Sequence, residues 1–127
     1  MQQKHLYEYA IIRVIPSVER EEFVNVGVIL FCKKEKFIKM RYSICEEKIK
    51  ALKPDADIQE IKRNLDAFSK ITAGDKDGGP IACLDEAERF RWLTAVRSAT
   101  IQTSRPHPGI TDNLEGMIDT LFLQLVG

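Results

Sequence analysis

The sequence predicts an α+β fold: one two-layer domain, a mainly antiparallel four-stranded sheet with helices packed on it, in the order β-β-β-α-α-α-β-α. Three observations predict it. Residues 6–44 are rich in Ile, Val, Tyr and Phe and either alternate apolar with polar side chains or run apolar throughout. From Cys45 the apolar period becomes helical, and one more alternating segment and one more helical stripe follow near the end. The length of 127 residues suits one domain, and no internal repeat or low-complexity stretch divides it.

LYEYAIIRVI (6–15) reads as the first strand, ended by Pro16, which lacks a ladder donor. Ser17 then caps one turn over VEREE, whose early acids suit a helix N-terminus. FVNVGVILFC (23–32) is the second strand and is largely apolar on both faces, so it belongs in the middle of the sheet. Strict alternation puts Asn25 and Gly27 on the face of Phe23, Ile29 and Phe31. A glycine inside a strand marks a bulge or a close backbone approach, and a buried Asn needs partners. The pair is therefore either fold-making or part of a face that meets a ligand or partner.

KKEK (33–36) is a polar turn into FIKMRYSI (37–44), an antiparallel hairpin with Lys39 and Arg41 on its solvent-like face. EEKIKAL (46–52) is a short helix before Pro54. Asp57 caps a longer one through about Ala73, with Ile58, Ile61, Leu65, Phe68 and Ile71 along one stripe. GDKDGGP (74–80) is a loop, and Asp85 caps the helix DEAERFRWLTAV. SATIQTS (98–104) alternates as a polar fourth strand, followed by a loop, RPHPGI (105–110). Asp112 and Glu115 are spaced as a capping pair for the last helix, whose stripe of Leu114, Met117, Ile118, Leu121, Phe122 and Leu125 packs on the sheet.

Composition narrows the function classes. A content of 44% hydrophobic and 30% charged residues belongs to a folded soluble domain. Nineteen basic residues balance nineteen acidic ones, so no molecule-wide field favours nucleic acid or anionic lipid. No signal-peptide h-region and no bilayer-length apolar run occurs, which makes the cytoplasm the expected compartment. Cys32, Cys45 and Cys83 form no CxxC pair and are expected to be reduced and mostly buried.

No GxxxxGK[ST], GxGxxG or GxSxG motif occurs, and no catalytic residue is assigned. Two His without ligand spacing give zinc no support, and Glu19, Glu21 and Glu22 point apart on a turn or strand, so neither a metal nor another cofactor is expected. The candidate binding residues are Arg13, Arg20, Glu22, Asn25, Arg97, Ser98 and His107. Arg20 and Glu22 sit at the mouth of the second strand, and Arg97 and Ser98 at the junction of a helix with the fourth. If the fourth strand neighbours the first or second, Arg13 joins them at one sheet end. Three guanidinium forks there would suit phosphate or carboxylate; the same groups could equally stitch loops together. His107, held between Pro106 and Pro108, is either an acid–base or ligand group or an idle exposed imidazole. The basic hairpin KKEKFIKMR either tracks a nucleic-acid strand or is a charged edge against aggregation. Trp92 is an interface anchor or core.

RVIPSVEREEFVNVGVILF, with RFRWL, RSATIQ and HPGITD downstream, resembles the bacterial domain-of-unknown-function family DUF3037 over nearly the whole chain. Residues 13–31 carry its most specific part, through Arg13, Pro16, Arg20, Glu22, Phe23, Asn25 and Gly27. Phe90, Trp92, Leu93, Arg97, Ser98, His107 and Gly109 match later, and the loop at 74–80 matches least. The resemblance implies a small cytoplasmic bacterial protein with no established activity, and a protein partner of the HipA-like kinase type. The leading expectation is a non-enzymatic accessory module that binds a protein partner through the sheet end. The alternatives are a small enzyme or sensor for an anionic ligand, with His107 or Glu22 as acid or base, and nucleic-acid binding by the hairpin at 33–42.

Overall fold

The computed structural model describes residues 3–95 and 99–127. Five strands form one antiparallel sheet: β1 (His5–Ser17), β2 (Glu22–Cys32), β3 (Phe37–Tyr42), β4 (Ile101–Thr103) and β5 (His107–Thr111). Four helices cover it: α1 (Glu46–Leu52), α2 (Ile58–Ala73), α3 (Glu86–Leu93) and α4 (Leu114–Leu125). The strand order is β3-β2-β1, and the outer edge of β1 is shared by β4 and β5. β2 thus lies inside the sheet, as its two apolar faces require.

The fourth strand is shorter than the 98–104 its sequence reads, and a fifth strand continues its edge. β4 pairs with residues 12–14 of β1, and β5 pairs with residues 5–9. The segment expected to be a loop after residue 104 therefore continues the same edge as β5. Ser104 holds the break: its backbone N–H donates to Ile11 O and its hydroxyl accepts the Ile11 N–H, both at 2.8 Å. Side-chain bonding replaces the ladder where two prolines, Pro106 and Pro108, remove donors.

Helices occupy both faces of the sheet, which adds a layer to the expected two. On one face Ala10, Ile12, Ile29 and Phe31 pack with Ile49 of α1, Ile61, Leu65 and Phe68 of α2, and Phe90 and Leu93 of α3. On the other, Val28, Leu30 and Cys32 pack with Leu114, Ile118, Leu121 and Phe122 of α4. Lys39 and Arg41 lie on this second face, exposed as expected but paired with α4 alongside. Lys39 pairs with Glu115 at 2.6 Å and Arg41 with Asp119 at 2.7 Å, while the Arg41 guanidinium lies 4.4 Å from the Phe122 ring centroid. Two cations of the basic hairpin thus fasten a helix.

Asp57 and Asp85 cap α2 and α3 through side-chain bonds to Glu60 N and Glu88 N. The cap of α4 differs from expectation: Asn113 accepts from Gly116 N, one residue later than Asp112. Arg89, unsingled in the sequence, is buried and donates from Nη1 to Ile71 O and Thr72 O at 3.1 and 2.9 Å. It caps the C-terminus of α2, over Gly74, whose φ of 70° is left-handed. Cys32 is buried, but Cys45 and Cys83 are exposed because they sit at the N-cap of α1 and in a 3-10 turn rather than on packed faces.

Candidate functional site

The site at the β1–β2 sheet end is made by two bulges. Ile12 pairs with Gly27 and Arg13 with Asn25, so Val26 is an extra residue on β2. Val24 and Val26 consequently join the core under α1–α3. Asn25 turns to the opposite face, where its Nδ2 donates to Leu125 O of α4 at 3.2 Å. The face shared by Asn25 and Gly27 under strict alternation therefore does not exist; the bulge parts them. Gly27 is required by a close approach, since a Cβ there would sit 2.7 Å from both Arg41 O and Tyr42 Cβ.

The second bulge is on β1. Val14 pairs with Val24 and Ser17 with Glu22, which places Ile15 and Pro16 in the irregularity. β1 was expected to end at Pro16, but a bulge accommodates the missing donor and the strand runs to Ser17. This bulge returns the register to its value before the first. Only a short window around Arg13 and Asn25 is turned over, and Arg20 and Glu22 lie beside it.

Arg13 lies with its guanidinium 4.3 Å from the Phe23 ring centroid. Phe23 is 46% exposed, the open end of this pair. Among the described residues Arg13 Nε and Asn25 Oδ1 are buried without a hydrogen-bond partner. Arg20 pairs with Glu22 at 2.7 Å on the rim, with both side chains open to solvent. Ser17 donates to Glu19 at 3.0 Å; the Glu19 carboxyl is held below its ordinary pKa by the residue's own backbone N–H first and by this bond second. A cleft of about 400 Å³ opens beside Phe23, Val24 and Asn25, with Lys48, Leu52 and Leu125 on its far sides.

Arg13 and Asn25 are partners across β1 and β2, and Arg20 and Glu22 form a separate ion pair at the same sheet end. Arg97 and Ser98 lie outside the described residues. His107 is elsewhere: on β5 it pairs with Tyr9, and the two ring centroids are 5.4 Å apart. Tyr9 and Ser17, the partner of Glu22, are eight residues apart along β1, about 26 Å at the usual strand rise. His107 and Glu22 thus share no pocket, and the acid–base pairing expected for an enzyme is not assembled. The phosphate fork is also unformed in the described part: Arg13 is on Phe23 and Arg20 on Glu22.

Trp92 is 38% exposed and lines a separate cleft with Phe68 and Ile71. Among the described residues no group of three His, Cys, Asp or Glu is placed to hold a metal ion. No helix among them is long and apolar enough to cross a membrane. The sequence reading missed Lys48, Leu52 and Leu125, which reach the site through tertiary packing and carry no local signal.

No match was found among curated proteins or among solved structures. A family model described as a protein of unknown function (DUF3037) matches residues 9–126, and the chain belongs to that family.

Proposed function

We propose that this protein is a non-enzymatic accessory module of the bacterial cytoplasm that binds a protein partner through the sheet end of Arg13, Arg20, Glu22, Phe23 and Asn25. One observation carries the reading: a half-exposed Phe23 ring held under the Arg13 guanidinium, beside buried Asn25 Oδ1 and Arg13 Nε atoms that lack partners among the described residues. Aromatic and Arg side chains dominate the energetics of protein interfaces, and a buried polar atom without a partner is stabilised by a donor or acceptor brought from outside. A kinase of the HipA-like type is the first partner to test, on the ground of the family resemblance.

The test is a quantitative pull-down at physiological salt from the native cell, with a purified HipA-like kinase run in parallel. Wild type is expected to retain a stoichiometric partner, and a folded Arg20→Glu, Phe23→Ala variant to lose it. His107→Ala, at the other end of β1, is expected to keep it. Retention by the double variant at wild-type stoichiometry rejects this surface, and the absence of any partner rejects the module reading.

A further inference from the structure

β2 has eleven residues, but β3 covers only part of one of its edges. β3 pairs with residues 27–32, and the last bond on that edge is from Ser43 N–H to Val26 O at 2.7 Å. Among the described residues no strand lies beside residues 22–25 on this side, although β1 pairs with them on the other. α1 stands opposite the uncovered edge, and the 400 Å³ cleft lies between them. Phe23, Val24 and Asn25 form one wall and Lys48, Ala51 and Leu52 the facing one, with Leu125 and Val126 at the end of α4 closing one side. An open strand edge beside an apolar slot is the geometry of β-strand addition, in which backbone bonds give affinity and the slot reads alternate side chains.

Charge defines the occupant. None of the residues lining the cleft is acidic, and Lys48 on its wall makes no ion pair among the described residues. Arg13, against Phe23, is engaged with a ring rather than a carboxylate, and Glu22 is taken by Arg20. We infer that the cleft takes an extended peptide of the partner, apolar at alternate positions and acidic between them. The peptide pairs with β2 along residues 22–25, drops an apolar side chain between Val24 and Leu52, and sets a carboxylate on Lys48. This deepens the proposed protein-binding reading and rests on it.

The test is selection of a random dodecamer peptide library on the full chain, followed by anisotropy titration of the enriched consensus peptide. The expected consensus alternates apolar residues with Asp or Glu. Lys48→Glu weakens its binding at least about tenfold, and Ala51→Trp, which fills the slot from an exposed position, abolishes it. Amide exchange at residues 23–25 slows when the peptide binds. The inference is overturned by an empty selection, by a consensus without acidic bias, or by binding that Ala51→Trp leaves intact. A dimer in sedimentation that Ala51→Trp disperses overturns it too, because the occupant is then a second copy. A cellular partner lost in the Phe23→Ala variant but kept by Ala51→Trp removes the peptide slot and leaves the binding surface standing.

Discussion

The two halves of β1 are built differently. From Glu8 to Ile12 the strand holds one register with β2, and Tyr7, Tyr9 and Ala10 fall alternately to the two cores. From Arg13 to Ser17 the register with β2 shifts twice, and among the described residues Arg13 Nε and Oδ1 of its cross-strand partner Asn25 are buried without hydrogen-bond partners. The regular half keeps an uninterrupted ladder with β2. The bulged half interrupts it, so ladder irregularity and the candidate binding residues Arg13 and Asn25 coincide in one place.

The comparison breaks most readily at its glycines. Gly27→Ala pushes a methyl group against the backbone of β3, which cannot move without losing the ladder, and is expected to destabilise the fold by about 3 kcal/mol in urea titration. Gly109→Ala, at the regular end, meets only the Tyr7 ring and is expected to cost about half as much, because a side chain yields more easily than a strand. Equal costs would mean that the buried Tyr7 ring yields no more easily than the strand does. Ser104→Ala, at the break between the halves, orphans the Ile11 N–H and is expected to cost about 1 to 2 kcal/mol by the same titration. An unchanged midpoint would show that water replaces the hydroxyl.

Tyr7 sharpens the regular half through pH. Burial first, and the neighbouring Tyr9 second, raise its pKa above the ordinary 10.0. The folded state thus keeps a proton that the unfolded state releases, so this contribution is complete below pH 10.0 and is lost as pH rises toward the folded value. Thermal melts from pH 9 upward are expected to show a shallower alkaline decline for Tyr7→Phe than for wild type; parallel curves would place the phenol in solvent. The smallest effect is expected from the exposed Arg41–Asp119 pair, whose double-mutant cycle is expected to give a coupling of at most about 1 kcal/mol.

The sequence was most legible where a single periodicity decided the outcome. The hairpin of β2 and β3, the stripe of α2 and the stripe of α4 all follow from local spacing. It was least legible where a side chain's face depends on a distant strand. Asn25 cannot be assigned to α4 without knowing that Val26 bulges against β1, and that follows from the pairing of Ile12 and Arg13. Residues 105–110 read as a loop because two prolines and a glycine punctuate them, and the strand character of 107–111 comes from the partner edge of β1 rather than from propensity. Arg20 and Glu22 were legible as a local pair, whereas Lys48 joins the same site only through the packing of α1.

The shared edge of β1 also shapes how the chain is made. One side of β1 is completed by β2 within the first 32 residues, while the other waits for residues 101–111. On the ribosome the nascent hairpins therefore carry an unclosed edge until residues 101–111 emerge, with Ile11 and its neighbours able to pair with another chain. Cellular yield should then respond to changes in residues 101–111 more steeply than the stability of the finished protein does, since those residues end the exposure.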